Sequence, residues 1–144
     1  MTIFRDPIER IVSHYNYIIG KIERGENEDW LVKERPLLGN SFTQFIDNLP
    51  PEKLLNQLYN FSENYNLIEA VDRIKSLNLI LTLENLSEGI LDINNMLGLN
   101  LRIMKKNMSE SFYRASSKEI RYLKDKVEKE IDLFNRLNIS FDKK

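Results

Sequence analysis

The stretch from Thr2 to Gly20 leaves the chain little conformational choice. Thr2-Ile3-Phe4 is a short β-branched and aromatic run, with the composition of the end of a buried strand. Asp6 stands where a helix N-cap belongs, with Pro7 at the first helical position and Glu9 three residues past the cap. Ile8, Ile11, Val12, Tyr15 and Ile19 recur at three-to-four spacing, giving that helix one apolar face. A strand that runs directly into a capped helix leaves backbone N–H groups and a positive dipole end at the junction. Arg5 flanks the junction, so it reads as a local anion site.

Composition narrows the remaining chemistry. At 144 residues the chain is expected to form a single domain spanning 1–144. A net charge of −1 gives no global field that would draw nucleic acid or an anionic membrane, so any anion site must be local. The absence of cysteine excludes disulfides, thiolate metal sites and cysteine nucleophiles. His14 is the single histidine, which leaves no multi-histidine metal site; no metal ligands are assigned. No run approaches the roughly 18–20 apolar residues of a membrane span, and the N-terminus lacks the basic and apolar regions of a signal peptide. The expected location is the cytoplasm. Asn-x-Ser triplets at Asn60, Asn85, Asn107 and Asn138 are read as accidental, several of them on predicted helices.

The rest of the chain alternates helical and irregular stretches. The first helix is predicted over Pro7 to about Arg24, with Gly25 ending it. Gly25 to Asn40 reads as a polar loop around an isolated Trp30-Leu31-Val32 patch. Ser41-x-x-Gln44 opens a short helix carrying Phe42, Phe45 and Ile46, and Pro50-Pro51 stops it. Pro51 starts another helix with Leu54, Leu55, Leu58 and Tyr59 on one face. Asn66-x-x-Glu69 caps a helix with Leu67, Ala70, Val71 and Ile74. Leu79 to Leu83 is a continuous apolar run, which suits a strand buried on both faces and leaves helix open. Ser87 is read as the cap of a helix that carries Ile90, Leu91, Ile93, Met96 and Leu97 and closes at Gly98. Leu99 to Ser116 reads as a basic irregular segment with Arg102, Lys105, Lys106 and Arg114. Ser116-x-x-Glu119 opens a long helix with Ile120, Leu123, Val127, Ile131 and Phe134 on one stripe and a solvated charged face opposite.

The run RDPIERIVSHYNY, beginning at Arg5, resembles the 3′-phosphate-binding motif of sulfotransferases that use 3′-phosphoadenosine 5′-phosphosulfate (PAPS), especially the carbohydrate-type branch. There the motif reads approximately Arg-Asp-Pro-x-x-Arg-x-x-Ser-x-Tyr at a strand-to-helix junction. The order helix, strand, helix from Ala70 through Leu79-Ile80-Leu81-Thr82-Leu83-Glu84 to Met96-Leu97-Gly98 is similar to the same family. So are Lys106-Asn107-Met108-Ser109 and the terminal Asp132-Leu133-Phe134. One departure is Leu83, which replaces the usual Gly-Leu-Thr arrangement before the glutamate.

The resemblance implies an α/β fold of the P-loop-like sulfotransferase type, incomplete here and mostly helical, with remnants of a parallel sheet. It implies transfer of a sulfuryl group from PAPS to a hydroxyl of a carbohydrate or small metabolite. Arg5 and Ser13 would be cofactor-binding residues, holding the 3′-phosphate. No Gly-rich Lys-Ser/Thr motif for the 5′-phosphosulfate occurs in the sequence, and Gly20-Lys21 falls inside the first helix. The chain therefore resembles a C-terminal sulfotransferase portion that alone is inactive, with no catalytic residue assignable. Exposed strand edges and uncovered helix faces are expected, and with them marginal stability, association, or dependence on a chain supplying the missing N-terminal half. Arg10 is read as a surface ion-pairing residue and His14 as structural. Glu84 is left as an ion-pair partner or helix-start charge, and Arg102, Lys105 and Lys106 as either a nucleotide-closing or a solvated loop. The competing reading is a non-catalytic helical interaction module or gene fragment derived from a sulfotransferase.

Overall fold

The computed structural model describes residues 1–103 and 113–141. Within them the chain is mostly helical, with one small parallel sheet. Strand β1 (Thr2–Phe4) leads into helix α1 (Pro7–Glu23), followed by α2 (Asp29–Glu34), a 3-10 turn (Arg35–Leu38), α3 (Phe42–Asn48), α4 (Pro51–Leu54) and α5 (Asn56–Tyr59). Helix α6 (Leu67–Lys75), strand β2 (Ile80–Thr82) and helix α7 (Leu86–Leu97) come next. Helices α8 (Ser117–Lys126) and α9 (Glu128–Arg136) complete the order. The strands pair in parallel with Thr2 opposite Ile80 and Phe4 opposite Thr82.

Local signals account for most helix ends. The Asp6 carboxylate accepts the Glu9 N–H at 2.8 Å, so the cap read from sequence is formed. Gly25, at φ +72, lies just beyond α1, and Gly98, at φ +64, closes α7 in the left-handed region. Ser41, Asn66 and Ser116 cap α3, α6 and α8, and Ser116 with Glu119 forms a complete capping box.

Five sequence expectations need correction. The 25–40 stretch is not a loop: α2 and the 3-10 turn occupy much of it, because Leu31 is fully buried against α1 and α3. The helix expected from Pro51 through Tyr59 breaks at Leu55, and the long C-terminal helix breaks at Val127. Helix α7 starts at Leu86 with Asn85, not Ser87, at the N-cap; the Asn85 side chain instead accepts the Thr82 N–H at 2.7 Å. Asn60, Asn85 and Asn138 flank helices and do not lie inside them. Lys105, Lys106, Asn107, Ser109 and Glu110 lie outside the described residues.

Among the described residues two hydrophobic clusters form the interior. One joins Ile11, Tyr15 and Ile18 of α1 to Leu31, Phe42, Phe45, Ile46, Leu123 and Val127. The other joins Phe4 of β1 to Leu58, Ala70, Ile74, Leu133 and Phe134. The break at Val127 lets α8 serve the first cluster and α9 the second. Phe134 meets Phe4 edge-on with ring centroids 5.1 Å apart.

The sheet is covered unequally. Phe4 and Ile80 face the second cluster, whereas α7 packs on Leu81 so closely that a Cβ on Gly89 would stand 2.4 Å from a Leu81 methyl. Ile3 is 44% exposed, and the apolar residues Leu91, Met96 and Leu97 of α7 face solvent. The uncovered helix face expected from sequence is thus present. No described helix is long and apolar enough to cross a membrane.

Candidate functional site

Strand β1 and helix α1 are separated only by Arg5 and Asp6. On one side of the junction the Leu83 N–H donates to the Phe4 carbonyl at 2.7 Å, carrying the parallel ladder to its last residue. On the other side a single side chain stands in for a neighbouring strand. Gln57 Oε1 accepts the Arg5 N–H at 2.8 Å, and Gln57 Nε2 donates to the Arg5 carbonyl at 2.9 Å. Both backbone polar groups of Arg5 are therefore satisfied by one carboxamide.

Gln57 is itself fixed. Its backbone N–H and that of Leu58 donate to Glu130 Oε1 at 2.7 and 3.2 Å, and Gln57 Nε2 lies 3.4 Å from Glu130 Oε2. Helix α5 has no capping side chain of its own; the Glu130 carboxylate, completely buried on α9, caps it from across the fold. Arg10 completes the set. It donates to Glu130 Oε2 at 3.2 Å and to the Lys53 and Leu54 carbonyls at 3.0 and 2.6 Å. The chain breaks at Leu55 with a cation on the carbonyl end of α4, an anion on the N–H end of α5, and the two paired with each other. Arg10 is thus ion-paired as the sequence reading expected, but with a buried glutamate and not at the surface.

The sequence-predicted ligands occupy definite places. Arg5 is half-buried at the end of β1, and its Nε is shielded from solvent with no hydrogen-bond partner among the described residues. Among the described residues the Nε of Arg10 is also without a partner, but its two terminal nitrogens are engaged as above. Ser13 is half-buried in the second turn of α1. The helix N-terminus is less open to an anion than the sequence suggested, because Asp6 already occupies the Glu9 N–H. Beside the first turn of α1 lies an open cleft of about 310 Å³ lined by Asp6, Ile8, Lys124, Phe134, Asn135 and Phe141, among others.

His14 lies one turn beyond Arg10 on α1 and meets this network through Lys53. It pairs with Glu34 at 3.2 Å and stacks on Phe45, while Lys53 pairs with the same carboxylate. Burial holds the imidazole below its ordinary range, and hydrogen bonding and charge attraction to Glu34 oppose that shift without cancelling it. Burial pushes the Glu34 carboxyl up, but Lys53 and His14 more than offset this and hold it below the usual range. The arrangement ties α1, α2 and α4 together, in keeping with the structural reading of His14. Glu84 is exposed in the turn after β2, and Arg102 and Arg114 are exposed. Among the described residues no group of three or more acidic or histidine side chains could hold a metal ion.

Gln57 and Glu130 escaped the sequence reading. Gln57 follows a Leu-Leu-Asn run with no motif around it, and Glu130 sits in a Lys/Glu/Asp pattern that reads as a solvated helix face. The one available signal was the apolar period that places Glu130 next to Ile131 on the turn facing the core. Comparison with protein-family models, with curated proteins and with solved structures finds no match for this chain.

Proposed function

We propose that the chain is a sulfotransferase-family protein of the P-loop-like sulfotransferase fold, and that its β1–α1 junction binds the 3′-phosphate of PAPS through Arg5 and Ser13. The observation that carries this reading is Arg5 itself. Its backbone is pinned on both polar groups, while its shielded Nε has no protein partner among the described residues. A buried donor left unmet costs about 1–3 kcal/mol, so such a donor calls for an acceptor from outside the protein, an ordered water or a ligand; the Arg10 Nε shares this state, but there the terminal nitrogens are already engaged. A phosphate oxygen suits a guanidinium fork better than any neutral acceptor. The spacing from Arg5 to Ser13 and the order helix, strand, helix over α6, β2 and α7 further support the family.

PAPS, when bound, supplies the sulfuryl group for transfer to an acceptor hydroxyl. In this division of labour Arg5 neutralises the non-reacting 3′-phosphate and Ser13 donates a hydroxyl hydrogen bond to it. The 5′-phosphosulfate needs a cradle of backbone N–H groups with a lysine, and the acceptor needs a base; we place both on another segment or a partner chain. The acceptor class is a carbohydrate or small hydroxyl-bearing metabolite. Calorimetric titration with adenosine 3′,5′-bisphosphate tests the site: the parent binds, and Arg5→Ala weakens binding about tenfold or more, the loss of a charge-assisted contact. Equal binding by both would remove the assignment.

A second reading is favoured by α7. Its exposed Leu91, Met96 and Leu97 present more apolar surface than a finished single-chain enzyme needs to leave open, as a non-catalytic interaction module would. Absence of nucleotide binding together with self-association or partner capture through α7 would favour it.

A further inference from the structure

We propose that Gln57 is the positioning residue for Arg5, aiming its guanidinium at the bound phosphate by locking the Arg5 backbone. The proposal rests on the reading of Arg5 as a phosphate ligand. A carboxamide is suited to this task, because it alone offers one acceptor and one donor in the fork that a strand neighbour would present. Leucine or methionine would satisfy neither backbone group. Glutamate would accept from the N–H, fail the carbonyl, and bring a second carboxylate against Glu130, whose Oε2 is 3.4 Å from Gln57 Nε2.

Fixing both the N–H and the C=O fixes the backbone dihedrals at Arg5, and with them the direction of its Cα–Cβ bond. Arginine reaches its ligand through a long flexible stem, so a small rotation at the root becomes a large displacement at the guanidinium. Gln57 can impose this geometry because it is only 7% exposed and its own N–H is held by the fully buried Glu130. Glu130 is held in turn by Arg10. The sequence Arg10, Glu130, Gln57, Arg5 thus connects the C-terminal helix α9 to the anion site without any of the first three touching the anion.

The test compares Gln57→Leu with Ile46→Val by calorimetric titration of adenosine 3′,5′-bisphosphate and by amide hydrogen exchange on the full chain. Ile46→Val trims a fully buried side chain of the first cluster, outside the Arg10, Glu130, Gln57, Arg5 sequence, so it lowers stability while leaving affinity near that of the parent. Gln57→Leu weakens affinity by about tenfold or more. It also removes exchange protection at the Arg5 amide while sparing the Leu83 amide, which bonds to Phe4 across the sheet. A merely structural role would make affinity follow stability in both variants, and that result overturns the proposal. So does an unchanged Arg5 amide in Gln57→Leu. If the parent binds but Gln57→Leu binds equally well, positioning fails while the phosphate site stands; if the parent does not bind, the phosphate reading fails and positioning for it fails too.

Discussion

The Arg10–Glu130 pair invites a double-mutant cycle whose outcome differs in sign from that of an ordinary buried ion pair. Replacing both partners of a buried pair with apolar residues is often neutral or stabilising by about 1–4 kcal/mol, since the desolvation penalty disappears. Here the two side chains also close a helix break. Glu130 caps the N–H groups of Gln57 and Leu58, and Arg10 caps the carbonyls of Lys53 and Leu54. Glu130→Ala leaves a largely buried guanidinium and uncapped N–H groups, for a cost of about 3–5 kcal/mol. Arg10→Ala strands a completely buried carboxylate and costs about as much.

The double variant Arg10→Met with Glu130→Leu strands no charge, but the backbone groups at the break stay unmet. At about 1–3 kcal/mol for each buried one, the Gln57 and Leu58 N–H groups together cost about 2–6 kcal/mol, against about 1–4 kcal/mol gained by removing the charges, so the double variant remains about 1–2 kcal/mol less stable than the parent. Urea unfolding gives the free energies, and melting temperature follows at about 2–4 °C per kcal/mol for a chain near this length. Glu130→Gln retains the cap and should lose less than half of what Glu130→Ala loses. A double variant as stable as the parent would show that the pair caps nothing of consequence, and the account of the Leu55 break would be wrong.

Other consequences are smaller in scope. Gly89→Ala gains up to about 1 kcal/mol of helix propensity, yet the Leu81 contact makes it destabilising by roughly 1 kcal/mol net, within the range for overpacking; adding Leu81→Val should restore part of the loss. Asn16 exchanges two hydrogen bonds with the Tyr113 backbone, at 3.1 and 2.9 Å. Asn16→Ala should cost about 1–3 kcal/mol and release exchange protection at the Tyr113 amide. His14 is held below its ordinary range, so the unfolded chain binds the extra proton first as pH falls through about 6.5. Stability is therefore full above that value and declines below it, and His14→Phe should flatten the decline. Glu34, also depressed, adds stability above about 4.5 that is lost as pH falls further.

What the sequence disclosed and what it concealed divide along range. Asp6, Ser41, Asn66 and Ser116 cap their helices through residues two or three positions away, so their signals survive in a single sequence. Helix α2 was missed because its first residues carry no capping side chain and one buried Leu31 holds it down. The break at Leu55 was invisible because its caps come from Arg10 and Glu130, far away along the chain. Glu130 looked solvated for the same reason: a charged residue in a charged helix gives no sign that its partner is distant. At the candidate site, the Asp-Pro cap and the position of Arg5 were legible, whereas the Gln57 clamp depends on tertiary packing.

Discrimination between adenosine 3′,5′-bisphosphate and adenosine 5′-monophosphate bears most directly on the central claim, since the ligands differ only in the group assigned to Arg5 and Ser13. The parent chain is expected to prefer the bisphosphate by roughly tenfold to a hundredfold, the range of one or two charge-assisted hydrogen bonds. Arg5→Ala should abolish the preference and Ser13→Ala should reduce it. Equal affinity of the parent for both nucleotides, or a preference that survives Arg5→Ala, would contradict the account.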